Sequence, residues 1–241
     1  MADINIPPDF DLPPLMNRNL HSAKVGLEGF NLKSPGPFNY DPTRDGCHNI
    51  MRGSFTEAQI RHFCDQIRPP SGQSPNFAAM KLLLGLDKPK GLVAIPLTTR
   101  KIFMRPDVGF PVRPQIAYRD ESGVKRILIL QPRESHDYTL SAYGLVASMV
   151  RYAFAKDDLE GAVVEIVDLQ IPDGGTERRL RKFLSTELPL VSNEEIHERL
   201  DTIVQAYDIL KAEGFVRKAS PLRKFYRDEK TIEMFPDAPK F

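Results

Sequence analysis

The chain has 241 residues, 41% of them apolar and 27% charged, which is enough for one sizeable self-supporting core without disulfide or metal staples. Lys and Arg number 33 against 32 Asp and Glu, so no global field draws the molecule to nucleic acid or to an anionic membrane, and any such affinity must be local. No apolar run approaches the roughly 20 residues of a membrane span, and the N-terminus MADINIPPDFDLPPL has acids and prolines where a secretory signal has lysines and an apolar stretch. A cytoplasmic location is expected, and two cysteines, Cys47 and Cys64, are too few for a disulfide framework.

In chain order, residues 1–50 carry Pro7, Pro8, Pro13, Pro14, Pro35, Pro37 and Pro42 and hold no long helical or strand period, which predicts an extended proline-rich arm. Phe10, Leu12, Leu15, Leu20, Phe30 and Phe38 are more apolar surface than a linker needs, so the arm is expected to lie on its own domain or on a neighbour. Residues 51–214 then read as one α/β domain, and 215–241 as a C-terminal tail, basic first and acidic last.

Ser54-Phe55-Thr56-Glu57 fits a capping box ahead of Ile60, Phe63, Cys64 and Ile67 at helical spacing, and Ser74-Pro75 predicts a second helix start. Beyond Gly91 the segments 92–96, 101–104, 112–118 and 124–131 are short, rich in aliphatic residues and broken by Gly or Pro, as strands are. Asp120-Glu121-Ser122-Gly123 predicts a hairpin loop between the last two. Thr139 or Ser141 can cap a helix running to about Lys156, and residues 162–169 form the strongest strand signal, with a density of β-branched residues that suggests a central place in the sheet. Residues 176–186 read as a basic helix, and Ser192 to Glu195 as a capping box for an apolar stripe that ends at Gly214. The fold class is therefore α/β, a mixed sheet flanked by helices, with α+β as the variant.

Four candidate sites follow from residue types. Cys47-His48 and His62-Phe63-Cys64 supply zinc-ligating types, but positions i and i+2 of a helix point about 200° apart, which argues against one shared metal. Ser135-His136-Asp137 has the residue types of a hydrolytic triad on adjacent positions, where the in-line relay cannot form. Arg178 and Arg181 or Lys182, followed by Arg217, Arg223 and Lys224, would make a phosphate-binding patch if the two clusters met, with Phe225 and Tyr226 available for stacking.

The fourth is the order helix, hairpin, helix, strand between Thr56 and Leu169. That order resembles the core of the restriction-endonuclease-like PD-(D/E)XK superfamily. The resemblance implies a carboxylate at the start of the hairpin and an acid-x-lysine at the end of its second strand, holding magnesium beside a scissile phosphate. Here the second strand ends Gln131-Pro132-Arg133, and Pro106-Asp107 spells the first half of the motif ahead of the hairpin. Asp107, Glu165, Gln131 and Arg133 are the catalytic candidates that the resemblance names, with Mg as the cofactor it implies; Glu57, Asp120 and Glu121 are further acids. Glutamine lends no charge and arginine carries no usable proton, so the motif is degenerate. The leading expectation is a non-enzymatic structural or assembly subunit that binds a partner protein, or itself, through the N-terminal arm, with no cofactor and no committed metal site. On that reading, removing residues 2–45 abolishes assembly and leaves the domain's melting temperature nearly intact. A degenerate nuclease-like module binding nucleic acid, and a metal-dependent phosphodiesterase, are the alternatives.

Overall fold

The computed structural model describes residues 4–16, 19–33, 38–89, 92–134, 138–172 and 175–215. The expected extended arm is instead folded. A 3-10 turn at Asp9–Asp11 precedes α1 (Leu20–Leu32), capped by the Asn19 side chain, and α2 (Asp41–Met51), which starts with Pro42 in its first turn. Of the prolines that suggested an arm, Pro8 stands just before the 3-10 turn and Pro42 in the first turn of α2, where a missing N–H costs nothing; Pro35 and Pro37 lie outside the described residues.

α3 (Glu57–Asp65) begins two residues later than the Ser54 reading: Thr56 caps it, and the capping box is Thr56 with Gln59. α4 (Gln73–Leu84) follows, with Ser74 and Pro75 inside its first turn. Then come β1 (Ile95–Pro96), β2 (Arg100–Arg105), β3 (Val108–Val112), β4 (Ile116–Arg119) and β5 (Lys125–Gln131). The expected strand 112–118 is split between β3 and β4, because Pro114 cannot donate to a ladder and breaks the run. α5 (Leu140–Phe154) is capped by Thr139, β6 spans Val163–Asp168, β7 spans Arg181–Leu184, and α6 (Asn193–Ala212) is capped by Ser192. The basic helix expected over 176–186 is β7. Leu180, Phe183 and Leu184 match helical spacing, yet the open edge of β6 takes this segment as a strand, with Glu165 opposite Leu184 and Asp168 opposite Arg181.

The main sheet has the order β1-β4-β5-β6-β7, with β5 and β6 parallel and the other neighbours antiparallel; β2 and β3 form a separate two-stranded sheet. The mixed α/β class stands, and β6 is interior as its composition suggested. Alternation along β5 sends Ile127 and Ile129 to one face, with α5, α6, the β2–β3 ribbon and residues 4–16, and Leu128 and Leu130 to the other, with α2, α3 and α4. The arm is thus part of both cores: Ile4, Phe10, Leu12, Leu15 and Met16 are buried in the first, Tyr40, Cys47 and Ile50 in the second. Gly144 of α5 has no room for a side chain, since a Cβ there would lie 2.1 Å from the Pro189 carbonyl oxygen; this lets the strand-to-helix connection before α6 press directly on the helix backbone.

Both cysteines are buried and unpaired by disulfide, and Cys64 Sγ lies 3.7 Å from Met80 Sδ. Burial pushes each thiol up to about 12. The thiolate is the reactive form, so in the native protein at about pH 8 neither cysteine should react with an aromatic disulfide reagent, while both react once denaturant is added. Rapid native-state labelling of either would contradict this packing.

Candidate strand-end site

β5 and β6 run parallel, so the α5 crossover brings both carboxyl ends to one edge of the sheet, where open α/β sheets build their sites. Gln131 is the register partner of Asp168, and Asp168 of Arg181, so three polar residues form one row across β5, β6 and β7. Gln131 continues the Ile127 and Ile129 side of the sheet, and Asp168 the Val164 and Ile166 side, so the row faces α5. Arg181 donates from Nε (3.1 Å) and Nη2 (2.5 Å) to Asp168 Oδ2, and Tyr143 of α5 donates its hydroxyl to the same oxygen at 2.9 Å. Burial, and then the Asp168 carboxylate, raise the Tyr143 phenol far above its ordinary value.

Gln131 is fully buried. Its Oε1 accepts from the Arg133 amide at 3.2 Å, and burial pushes the Tyr138 phenol up to about 12, against the lowering effect of Arg133 and of the Gln131 side chain. Arg133 points to the N-terminal segment, where it grips Asp11 with both terminal nitrogens at 2.5 and 2.6 Å. Burial works against its charge, but the Asp11 pair outweighs that and raises the guanidinium above its ordinary value. Asp9 accepts from the Arg113 amide (2.8 Å), and the Tyr138 hydroxyl donates to the Phe10 carbonyl. At the start of β4, Gln115 Oε1 accepts from the Leu130 amide at 2.5 Å, which places a second glutamine beside the end of β5.

The other candidates do not join this row. Glu165 lies on the opposite face of β6, buried, where it accepts from the Tyr118 hydroxyl at 2.7 Å and lies 3.6 Å from Arg126 and 4.0 Å from Lys182. Asp107 sits in the turn of the β2–β3 ribbon, paired with Arg105 at 3.0 Å, and Arg105 in turn grips Asp208 of α6. Asp120 is held in the hairpin loop by Ser122, Val124 and Arg126, and Glu57 pairs with Lys81 on the helical face. Among the described residues no group of three or more His, Cys, Asp or Glu side chains is placed to hold a metal ion, and no helix is long and apolar enough to cross a membrane.

The basic patch is also divided. Arg178 is a structural side chain, only 6% exposed, and it donates to the carbonyls of Pro132 and Leu169, to the Tyr40 hydroxyl and to Glu134. Arg181 and Lys182 are adjacent on a strand, so they address opposite faces of the sheet. Arg217, Arg223 and Lys224 lie outside the described residues, as do Ser135, His136 and Asp137. Sequence reasoning missed Asp168, Tyr143 and Asp11. Asp168 could have been found, because a parallel crossover aligns the last residue of the strong strand with Gln131.

No family model matches the chain, and no curated protein matches it. A solved structure described as "Crystal structure of SSO0001" is similar at 13% identity, covering 79% of this chain and 84% of that one, with a TM-score of 0.36.

Proposed function

We propose that the protein is a non-enzymatic assembly subunit built on a scaffold whose element order resembles the restriction-endonuclease-like core. One observation carries this reading: where that resemblance would set its carboxylates, at the start of the hairpin and at the end of its second strand, stand the neutral side chains of Gln115 and Gln131. A magnesium ion in a phosphoryl-transfer site is held by one or two carboxylates besides waters and phosphate oxygens, and two glutamines supply no such charge. Asp168, the acid in the row, is already bonded to Arg181 and Tyr143, and its register partner on β5 is the uncharged Gln131. These residues do not fit magnesium, and no catalytic step is assigned to them.

The N-terminal region supports assembly in a different form from the expected arm. Its buried side chains belong to this chain's own core, but α1 presents Val25 (52% exposed) and Leu32 (39% exposed), seven residues apart and so on one outward face. A partner chain is proposed to cover that face. The Phe-rich, Pro-rich segment thus anchors the platform, and α1 carries the contact.

The test has two arms. Purified protein given magnesium or manganese should leave single- and double-stranded DNA and RNA intact, and the double variant Val25→Asp with Leu32→Asp should lose its partner on affinity purification while its melting temperature stays within about 2 °C of wild type, as expected for exposed positions. Metal-dependent cleavage lost in Glu165→Ala would instead favour the phosphodiesterase reading.

A further inference from the structure

We infer that Arg44 and Arg113 form a binding site for a phosphate group at one end of the main sheet, where the Asp9–Asp11 turn meets the first turn of α2. The site uses none of the side chains of the Gln131, Asp168 and Arg181 row, and nothing in it depends on the assembly reading.

Four arginines gather at this end of the sheet, and two of them are committed. Arg133 grips Asp11, and Arg178 ties Pro132, Leu169, Tyr40 and Glu134 together. Arg44 and Arg113 have no such partners. The Arg113 guanidinium makes no hydrogen bond and no ion pair with the described residues, and its Nε is buried without an acceptor. Only 13% of the Arg44 side chain is exposed, yet its ion pair among the described residues is a long contact of 3.5 Å from Nη1 to Asp41, a carboxylate that is itself half-exposed. A permanently charged group that leaves water with its donors unfilled bears the whole desolvation cost. The two arginines also oppose each other. Burial, and after it the charge of Arg113, lower the Arg44 guanidinium below its ordinary value; Arg133 adds to this, and Asp41 and Asp9 work against it.

The nearby acids do not supply the missing acceptors. Both Asp9 oxygens take backbone amides, Oδ1 from Phe10 at 2.9 Å and Oδ2 from Arg113 at 2.8 Å, so this carboxylate fixes the backbone of Arg113 and leaves its fork open. Asp11 is held by both terminal nitrogens of Arg133. Buried donors without acceptors call for an ion from outside. Two planar forks present more N–H groups than the two oxygens of a carboxylate can accept, whereas a phosphate group offers three terminal oxygens and a charge of about −1.5 to −2 at pH 7. Because Arg44 is largely covered, the group that reaches it is a terminal phosphate on a small molecule; the internal phosphodiesters of a nucleic acid, flanked by sugar on both sides, are too bulky.

Thermal melts of the full chain at fixed ionic strength test this, with inorganic phosphate, phenyl phosphate or acetate compared with chloride. Phosphate at about tenfold excess over its dissociation constant should raise the wild-type midpoint by about 3–5 °C. Arg113→Gln and, separately, Arg44→Gln should lose that rise, so either variant decides if the other does not fold. Phosphate also stabilises proteins generally by exclusion from their surface, and the difference between wild type and variant is therefore the readout. In chloride, Arg113→Gln should melt no lower than wild type, since its guanidinium has no partner to lose. Equal rises with the two phosphates support a site for free phosphate, and a larger rise with phenyl phosphate supports one for an organic ester. The site is overturned if phosphate raises wild type and both variants alike, if acetate protects as well as phosphate, or if Arg113→Gln melts several degrees lower in chloride. Protection by a DNA oligonucleotide without terminal phosphates, lost in Arg113→Gln, would also overturn it, by assigning Arg113 to a nucleic-acid backbone.

Discussion

Deleting residues 2–16 is expected to abolish the cooperative unfolding transition of the whole chain, the reverse of what a free proline-rich arm would give. Five side chains of this segment, Ile4, Phe10, Leu12, Leu15 and Met16, are buried in the core under α5 and α6. At about 1.5–3 kcal/mol for each buried apolar side chain, their removal withdraws roughly 7–15 kcal/mol, as much as the entire stability of an ordinary domain. The polar losses add to this. Arg133 would lose its bidentate partner Asp11, and the Arg113 amide would lose Asp9. The Arg133 and Asp11 pair is partly exposed, so Asp11→Ala alone should cost only about 1 kcal/mol. A graded check avoids relying on a protein that fails to fold: Phe10→Ala should cost about 3–5 kcal/mol in urea denaturation. A truncated chain that melts within a few degrees of wild type would show that the segment is not part of the core.

That contrast shows what the sequence could and could not reveal. Hairpin, α5 and β6 were legible because each carries its own punctuation: Gly123 with a positive φ closes the hairpin loop, Thr139 caps α5, and a run of β-branched residues marks an interior strand. Residues 1–50 misled because proline frequency reports that local structure is interrupted, not that the chain stays unpacked between interruptions. Phe10 and Leu12 sit in a single 3-10 turn and its cap, too short to show a period, and their burial depends on α5, about 130 residues away. The basic stretch misled for a related reason. Whether Arg181 lies on a helix or a strand depends on the free edge of β6, and no local window contains that edge. The candidate site was half legible: Gln131 and Arg133 were found from the end of β5, but Asp168 enters only through the parallel register, and Asp11 only through the fold of the N-terminus.

Arg178→Ala should be among the most damaging single substitutions in the chain, costing about 3–5 kcal/mol, although in sequence Arg178 looks like one more surface cation. Its guanidinium is a bracket that ties the ends of the paired strands β5 and β6 to the segment before α2: Nη1 reaches Pro132 O at 2.7 Å just past β5 and Leu169 O at 2.8 Å just past β6, while Nη2 reaches the Tyr40 hydroxyl at 2.5 Å before α2 and Glu134 at 3.0 Å. Truncation leaves two carbonyls without this donor, each worth about 1–3 kcal/mol when buried, and removes the charge that faces both Glu134 and the Tyr40 ring. Lysine would keep the charge and lose the bracket, since one ammonium cannot span carbonyls at the ends of two strands and a phenol at once. Arg178→Lys should therefore recover less than half of the lost stability, a comparison that calorimetric or urea midpoints can make directly. If Arg178→Ala unfolded with an unchanged midpoint but bound nucleic acid more weakly than wild type, the side chain would be a ligand contact and the bracket would be wrong. If the midpoint falls as expected, any loss of nucleic-acid binding on changing Arg178 is explained by the collapse of the strand ends, and it cannot count as support for a phosphate-binding patch.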